Sequence, residues 1–356
     1  MNKILILAHP DDVHAQAVEY WLKEFGAEYD YFSYGDFPQN CGISFYLDGQ
    51  NTNFTLSHND CLINFYDYSA VWYRRPREPA PSQLLSQQVQ NYCAHESIAF
   101  LTGFEFLMPN AFWLPSYYSN QIANHKPYQL RLAQELGFVI PKTYFGNDLQ
   151  EFLKLGFTEE NVIVKSLHRG EIKQPLSIPQ KMILCLIRCK NWLIRNKASD
   201  HFYGNHVYAP TQKIELESLR KKTEQLKICP VCIQECIVGA FELRVTVVGD
   251  EVFACAIHMP SSRVGEVDWR LSDKTNSYTV FQLPDDIETK CRLFVKKLGL
   301  RFGCIDMIVS ENNEYYFLEC NPNGQWLWIE HETKMLISRA IAELLLNPPT
   351  TQLERN

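Results

Sequence analysis

The segment that most constrains this chain is a pair of apolar runs near its end, 303–310 and 314–320. The short acidic and Asn-rich stretch between them is typical of a turn, so the two runs predict a β-hairpin. Asp306 lies on the first strand, and Glu319 and Asn321 lie at the end of the second. Because Glu319 and Asn321 are two residues apart, they point to the same face, and Asp306 can face them from the paired strand. The hairpin therefore brings three oxygen-bearing side chains together.

These three side chains predict a Mg²⁺ site. Mg²⁺ prefers hard oxygen ligands, takes few of them from protein, and completes its octahedron with phosphates and water. The alternative is a polar, solvated sheet edge. The sequence LECNP around Glu319 places an acid and an amide among apolar residues directly before a proline. That placement is unusual for a solvated edge, so it favours the metal site.

The start of the chain predicts an open α/β domain. An apolar strand over 3–8 is followed by a helical pattern over 13–25, and Gly26 is a suitable residue to end that helix. A strand followed directly by a helix is typical of α/β architecture. We expect the helix to bury the face formed by Val13, Ala17, Tyr20, Trp21 and Phe25.

Periodicity and turn residues predict the remaining elements and the domains. Strands or hairpins are expected at 40–57, 70–73, 161–166, 231–238, 241–248 and 251–258, and helices at 84–107, 126–136, 286–298 and 333–346. The segment 110–124 is rich in Pro, Ser and Asn, which indicates a domain boundary. We expect an α/β fold with α+β lobes, divided into residues 1–120, 121–210 and 211–356.

Composition narrows the possible functions. The 356 residues are 46% hydrophobic, which is enough apolar material for more than one core. A net charge of −7 without a long basic stretch argues against a duplex nucleic-acid partner. The sequence predicts neither a signal peptide nor an apolar stretch of about 18 residues that could span a membrane. A cytoplasmic location is therefore expected.

The cysteines leave one alternative to weigh. Cys229, Cys232 and Cys236 form a CPVC-containing segment that could be a zinc half-site or a redox motif. No second pair follows at metal spacing, so small apolar fillers on a strand are the favoured interpretation.

Two lysines stand where they could meet a phosphate. Lys165 ends the apolar run VIV, where a charge without an anionic partner would be costly. Lys126 lies directly before Pro127, at the first turn of an expected helix. Taken alone, each position favours an ordinary surface lysine.

Further polar residues interrupt apolar strands downstream. Gln234 and Glu235 lie within IQECI, where an amide, a carboxylate and the backbone could bind an adenine edge or a ribose. Glu242 and Arg244 are two apart on one strand, and Arg270 belongs to the segment VDWR. Arginines beside a phosphate site can stabilise developing negative charge.

The order of these elements resembles the ATP-grasp superfamily: a lysine before a helix, a lysine ending a strand, an acidic hinge strand, an arginine, and then an Asp followed by Glu-x-Asn. A closer resemblance is to the microviridin-type graspetide synthetases, which make ω-ester-containing peptides. The motifs that carry it are VWYRRP at 71–76, HKPYQLRLAQELGFVIPKTYFGND at 125–148, VDWR at 267–270 and FLECNPNGQWLWIE at 317–330. The resemblance implies an ATP-grasp fold with an N-terminal pre-ATP-grasp α/β domain.

The resemblance also implies roles for the polar residues. ATP would be held by Lys126 and Lys165 at its phosphates and by Glu235 with the backbone of Cys236 and Ile237 at its adenine. Gln234 and Glu242 would belong to the same cofactor site. Arg244 and Arg270 would face the transferred phosphoryl group, and Asp306, Glu319 and Asn321 would hold two Mg²⁺ ions between the central and C-terminal lobes.

The implied chemistry is ATP-dependent ligation. A carboxylate would become an acyl phosphate, and a hydroxyl or amine would then displace phosphate to give an ester or an amide. In graspetide synthetases both groups are side chains of a precursor peptide, whose leader would dock mainly on the central domain. A homodimer is a further expectation from the resemblance. A ligase for small carboxylates or amino acids, or a non-catalytic binding protein on the same scaffold, are the alternatives.

One departure from the family pattern concerns the phosphate loop. A glycine-rich loop is not evident, because only Gly170 follows Lys165 closely and 201–205 carries one more glycine. A backbone cradle for phosphates would have to be built from few glycines.

Three other motifs have competing interpretations. The segment AHPDD resembles a zinc deacetylase motif, but capping of the first helix by Asp11 or Asp12 is favoured. Arg74 and Arg75 could bind an anion or form ion pairs between domains. Trp326 and Trp328 are expected to pack in a core or at a domain interface rather than stack on bases.

Overall fold

The computed structural model describes residues 3–58, 61–157, 161–167, 171–173, 206–208, 212–220, 227–259 and 276–349. The chain forms two compact units. The first comprises Met1–Ile140, Val238–Val264 and Ser272–Asn356, and the second comprises Pro141–Ile237 and Gly265–Leu271. The division into 1–120, 121–210 and 211–356 stays a prediction.

The described strands are β1 (Lys3–Leu7), β2 (Tyr29–Phe32), β3 (Gly42–Leu47), β4 (Thr52–His58), β5 (Cys61–Asn64), β6 (Tyr68–Tyr73), β7 (Phe112–Leu114), β8 (Thr143–Gly146), β9 (Asn161–Lys165), β10 (Glu171–Lys173), β11 (His206–Tyr208), β12 (Gln212–Glu215), β13 (Val231–Glu235), β14 (Phe241–Val248), β15 (Glu251–His258), β16 (Ser277–Val280), β17 (Phe302–Val309) and β18 (Tyr315–Asn321). The described helices are α1 (Val13–Glu24), α2 (Gln87–Thr102), α3 (Phe104–Leu107), α4 (Tyr117–Ala123), α5 (Lys126–Glu135), α6 (Leu149–Lys154), α7 (Leu216–Arg220), α8 (Asp285–Lys297), α9 (Leu327–Thr333) and α10 (Ile337–Leu346).

A parallel sheet opens the first unit. Its strand order is β2-β1-β6-β7, and β1 is almost wholly buried because an apolar cluster packs against each of its faces. Asp12 caps α1 by accepting the N–H groups of His14 and Ala15, and Gly26 takes a φ of +67° just beyond the helix end. The predicted α/β start and the capping interpretation are confirmed.

The predicted buried face of α1 is wrong in part. The buried residues are His14, Ala15, Val18 and Leu22. Val13 and Tyr20 are more than half exposed, at 55% and 56%. The buried face is rotated around the helix relative to the predicted one because His14 is buried. A histidine would be expected to face water, but His14 Nε2 accepts the backbone N–H of Trp326 at 3.3 Å.

A smaller antiparallel sheet, β3-β4-β5, covers an aromatic core. The hairpin predicted over 40–57 is confirmed: Asp48 accepts the N–H of Asn51 in its turn, and Gly49 adopts a φ of +87°. The segment 110–124 contains β7 and α4.

The largest sheet has the order β16-β15-β14-β17-β18, and every neighbouring pair is antiparallel. The predicted hairpin of β17 and β18 is confirmed. The single closing helix predicted over 333–346 is wrong, since α9 and α10 are separated by a break where Lys334 has a φ of +61°. Glu330 stabilises the new helix start by accepting the backbone N–H of Ser338 at 2.7 Å.

The second unit contains a sheet of order β12-β9-β13-β8 with its own apolar core, built around Phe152, Val162 and Ile233. Among the described residues, no helix has the length and apolar character needed to cross a membrane.

Candidate active site

One face of the largest sheet gathers the polar residues singled out in the sequence. Arg244 on β14 is the register partner of Asp306 on β17, and Asp306 is the partner of Glu319 on β18. Glu242 lies two residues before Arg244, and Asn321 two residues after Glu319, so both belong to the same face. The alternation of the strands therefore places five of the predicted site residues together.

Asp306 and Arg244 form a buried ion pair. Arg244 Nη1 donates to Asp306 Oδ1 at 2.7 Å and to Oδ2 at 2.8 Å, and Nη2 donates to the carbonyl of Gln325 at 3.0 Å. Burial opposes the charge on Arg244, but the Asp306 carboxylate outweighs it and holds the pKa of Arg244 above its usual value. The pair fixes the orientation of the Asp306 carboxylate.

Glu319 is paired with a lysine from a helix start. Lys126 Nζ lies 3.3 Å from Glu319 Oε2, and about 30% of each side chain is exposed, 27% and 30% respectively. Lys126 begins α5, with Pro127 in the first turn, as predicted. Because both groups reach solvent, a ligand could exchange this ion pair for phosphate and metal contacts.

The chain beyond β18 folds back over the same face. Asn323 N–H donates to Asn321 Oδ1 at 3.0 Å, which orients the amide of Asn321. A Cβ on Gly324 would lie 2.5 Å from Cys304 Cβ and 2.8 Å from Arg244 Nη2, so only glycine fits this close approach. The loop is therefore pressed against the sheet at the ion pair.

Two arginines after β6 hold that loop. Arg74, 1% exposed, donates to the carbonyl of Asn323 at 3.0 Å, and Arg75 Nε donates to the same oxygen at 2.9 Å. Arg75 has a left-handed φ of 54°, which lets consecutive side chains converge on one atom. Burial lowers the pKa of Arg74, although Asp12 opposes this with its carboxylate 3.6 Å away. Arg74 and Arg75 thus both donate to the backbone of the loop.

His14 completes the packing under the loop. Its ring lies edge-on to Trp326, with ring centroids 5.1 Å apart. Burial, reinforced by Arg74, lowers the pKa of His14 to about 2, so the imidazole is neutral. Trp326 is fully buried, and Trp328 packs against Tyr278 at 5.1 Å, which confirms the core-packing interpretation of both tryptophans.

The donor set on this face fits Mg²⁺. Asp306 and Glu319 supply carboxylate oxygens and Asn321 an amide oxygen, the hard ligands that Mg²⁺ takes from protein in small number. Arg244 uses part of the acceptor capacity of Asp306 but leaves lone pairs on both oxygens. Among the described residues, no group of three or more His, Cys, Asp or Glu side chains is placed to hold a metal ion by itself, so phosphates and water would have to complete the coordination.

The second unit holds the other predicted cofactor residues. Lys165 Nζ donates to Gln234 Oε1 at 2.9 Å, and Gln234 Nε2 donates to Thr143 Oγ1 at 3.0 Å. Glu235 Oε2 accepts the backbone N–H of Lys142 at 3.1 Å. Cys236 and Ile237, both half-buried, follow β13 directly. Lys165 is therefore tied to the strand that carries Gln234 and Glu235.

Comparisons with known proteins bear on the whole chain. Residues 3–121 match the family model described as the MvdD pre-ATP grasp domain. The Chryseobacterium gregarium RiPP-associated ATP-grasp ligase, solved with ADP and a leader and core peptide, is 26% identical with a TM-score of 0.83, and the match covers 100% of each chain. This chain is an ATP-dependent ligase, similar over its full length to solved ATP-grasp ligases. The resemblance inferred from its sequence is confirmed.

Two further solved structures are similar to the ligase. The macrocyclase MdnC from Microcystis aeruginosa MRC, bound with the precursor peptide MdnA, is 27% identical with a TM-score of 0.79, and the match covers 98% of this chain and 100% of MdnC. The macrocyclase MdnB from the same source is 26% identical with a TM-score of 0.75, covering 97% of this chain and 99% of MdnB. None of the curated proteins searched matches the ligase in sequence.

Some predicted site residues of the ligase are not among the residues that the structure describes. Arg270 and the rest of VDWR, Gly170 and the segment 201–205 fall outside the described residues. Of the three cysteines weighed as a zinc half-site, Cys229 lies exposed in a turn and Cys232 is buried on β13. Only Cys232 is the strand filler expected.

Sequence reasoning missed three residues of the ligase that support the site: Gln129, Asn323 and Gly324. Gln129 is a buried polar residue on α5, one turn after Lys126. A polar residue three positions from a predicted phosphate ligand, on the same helix face, is the pattern that could have revealed it. Asn323 and Gly324 belong to the motif NPNG after Asn321, where turn residues were visible but their long-range partners were not.

Proposed function

We propose that this ligase uses ATP and Mg²⁺ to activate side-chain carboxylates of a ribosomal precursor peptide as acyl phosphates and closes macrocyclic ester or amide links. The observation that carries the proposal is the shared face of Asp306, Glu319 and Asn321, with Lys126 Nζ 3.3 Å from Glu319. Solved peptide macrocyclases that match nearly the full length of the chain support the peptide as substrate.

The proposed cofactor residues would have different roles, set by the charge of each side chain. Asp306, Glu319 and Asn321 would hold two Mg²⁺ ions, and Lys126 and Lys165 would bind the phosphates. Gln234, Glu235 and Glu242, with the backbone of Cys236 and Ile237, would contact the adenine and ribose. When bound, Mg·ATP supplies the phosphoryl group.

The protein's contribution is positioning and electrostatics. Cations beside the phosphates offset charge that develops on the transferring phosphoryl group. Arg244 orients Asp306 through its two short hydrogen bonds, and Arg270 would stabilise the acyl phosphate. Lys126 would release Glu319 to the metal as it meets phosphate.

The chemistry balances as a dehydration coupled to ATP. A carboxylate oxygen of the peptide attacks the γ-phosphorus and ADP leaves. A hydroxyl or amine of the same peptide then attacks the acyl carbon, loses its proton, and phosphate leaves. Each ring therefore removes one water from the peptide and converts one ATP to ADP and phosphate.

The direct test is co-expression of the ligase with each short open reading frame beside its gene, followed by mass spectrometry of the peptides. One peptide should lose one or more waters with the wild-type ligase and with Glu311→Gln, an exposed acid in the turn of the same hairpin. Glu319→Gln and Asp306→Asn should leave the peptide unchanged.

The opposite outcome favours the second candidate. A ligase for small carboxylates or amino acids would modify no neighbouring peptide, and the purified protein would form ADP with free amino acids. Both candidate functions use the same ATP site and the same fold. The experiment therefore distinguishes a peptide substrate from a small-molecule substrate.

Several further features remain predictions. The leader would dock on the central lobe, the ligase would form a homodimer, and no nucleic acid or membrane would be a partner. A cytoplasmic location is expected for an enzyme that meets a newly made peptide and ATP.

A further inference from the structure

The strand that carries Glu319 and Asn321 lies at the edge of its sheet. β18 is the last strand in the order, and among the described residues its outer side meets an isolated bridge between Val139 and Tyr316 instead of a full strand. Unpaired N–H and C=O groups of an edge strand need other partners when they are buried. Cys320, between the two proposed ligands, is only 3% exposed.

Gln129 supplies those partners. The N–H of Cys320 donates to Gln129 Oε1 at 2.7 Å, and Gln129 Nε2 donates to the carbonyl of Cys320 at 2.7 Å. A side-chain amide offers the same donor and acceptor as a peptide group. Gln129 therefore pairs with β18 as a single residue of an additional strand would.

Gln129 is itself fixed. Its side chain is buried at 3% exposure, and Nε2 also donates to the carbonyl of Ala123. It lies three residues after Lys126 on α5, so the same helix reaches the side chain of Glu319 and the backbone of Cys320. One helix thus contacts both the Glu319 side chain and the Cys320 backbone.

A second anchor holds the other end of the segment. Asn323 Nδ2 donates to the carbonyl of Tyr73 at 3.1 Å, and the carbonyl of Asn323 accepts from Arg74 and Arg75. The N–H of Asn323 orients the amide of Asn321 at 3.0 Å. The segment from 319 to 323 is therefore held on both sides of the proposed ligands.

We infer that Gln129 and Asn323 are positioning residues, which hold the backbone of 319–323 so that Glu319 and Asn321 meet the metal–nucleotide complex without rearrangement. The inference rests on the proposed function, since it needs those two residues to be metal ligands. Groups that orient metal ligands typically change metal affinity by about 10- to 100-fold when they are lost. Their removal should therefore raise the Mg²⁺ requirement more than it lowers the maximal rate.

Gln129→Met tests the first anchor, because it keeps the length of the side chain and removes both hydrogen bonds to Cys320. The matched control is Gln134→Met, on the exposed face of the same helix. Calorimetric titration with ADP over a series of Mg²⁺ concentrations reports metal use without turnover. The Mg²⁺ concentration for half-maximal ADP binding should rise about 10-fold or more in Gln129→Met, with ADP affinity in metal-free buffer unchanged and Gln134→Met equal to wild type.

Asn323→Ala tests the second anchor and keeps the inference testable should Gln129→Met fail to fold. It removes the bond to Tyr73 and leaves the backbone groups of residue 323 in place, so a smaller rise in the same direction is expected. A variant that folds with a lower melting temperature but an unchanged Mg²⁺ requirement would show a merely structural role and overturn the inference. Glu319→Gln distinguishes a failure of the positioning inference from a failure of the proposed function. If this variant also keeps the wild-type Mg²⁺ requirement, the assignment of Glu319 as a metal ligand is wrong.

Discussion

Arg244 and Asp306 face each other across two strands and share a two-pronged ion pair, with Nη1 to carboxylate distances of 2.7 and 2.8 Å. Both side chains are about 90% buried or more, at 8% and 10% exposure. Since a buried charge that loses its partner is left uncompensated, the arginine and the proposed metal ligand depend on each other. The same ion pair therefore contributes to the stability of the sheet and holds a proposed metal ligand in place.

Arg244→Met should therefore destabilise the fold as well as stop turnover. Removing one partner of a buried ion pair costs about 3–5 kcal/mol, because the other charge is left uncompensated. The free energy of unfolding in urea measures this loss. The double variant Arg244→Met with Asp306→Leu should regain most of the stability while staying inactive, and equal losses in the single and double variants would contradict the coupling.

Lys126→Ala should weaken nucleotide binding with little effect on stability. The Lys126–Glu319 pair is partly exposed, so its loss should change the free energy of unfolding by less than about 1 kcal/mol. A hydrogen bond to a charged group contributes about 1.5–3 kcal/mol, so the affinity for Mg·ADP should fall by about 10- to 100-fold. Lys154→Ala, which breaks an exposed pair with Glu151, is the control. Wild-type ADP affinity in Lys126→Ala would remove this lysine from the phosphate site.

Gly324→Ala tests the close approach of the loop to the sheet. The added methyl group would lie 2.5 Å from Cys304 Cβ and 2.8 Å from Arg244 Nη2, so the loop must move. Overpacking of this kind costs about 1–3 kcal/mol, and the displaced loop should carry Asn321 away from its position. Urea unfolding and ADP formation measure the two effects, and wild-type values of both would show that the loop tolerates displacement.

His14 predicts a specific dependence of stability on pH. Its pKa is about 2 in the folded chain and 6.5 ordinarily, so the folded state holds the neutral imidazole while the unfolded state takes up a proton. This contribution to stability is fully present above pH 6.5 and is lost as the pH falls from there towards 2. The expected slope is about 1.4 kcal/mol per pH unit once the unfolded histidine is protonated.

Urea unfolding over a series of pH values should therefore separate two variants. His14→Gln should lose that part of the slope below neutral pH, whereas His95→Gln, an exposed histidine on α2, should keep the wild-type slope. Identical slopes for wild type and His14→Gln would show that His14 is not held neutral.

Local patterns in the sequence predicted much of the fold. The hairpin of β17 and β18, the capped start of α1 and the helix beginning at Lys126 each depend on residues within a few positions of one another. Strand alternation alone placed Asp306, Glu319 and Asn321 on one face, and the register confirms that shared face. Their role as metal ligands stays a prediction.

Contacts between distant segments could not be predicted in the same way. Gln129 and Cys320 are 191 residues apart, and Asn323 and Tyr73 are 250 apart. Gln129 would look like an ordinary polar position on a helix until β18 is beside it. His14 shows the same limit, because the burial that rotates the face of α1 comes from Trp326.

The central claim is that a peptide carboxylate becomes an acyl phosphate on this ligase, and oxygen-isotope transfer tests it most directly. The precursor peptide found by co-expression would be labelled with oxygen-18 in its side-chain carboxylates and incubated with the ligase, ATP and Mg²⁺. The account predicts that phosphate released during ring closure carries one oxygen-18 for each water lost from the peptide, and that Glu319→Gln releases none. Ring closure with unlabelled phosphate would contradict the acyl-phosphate mechanism.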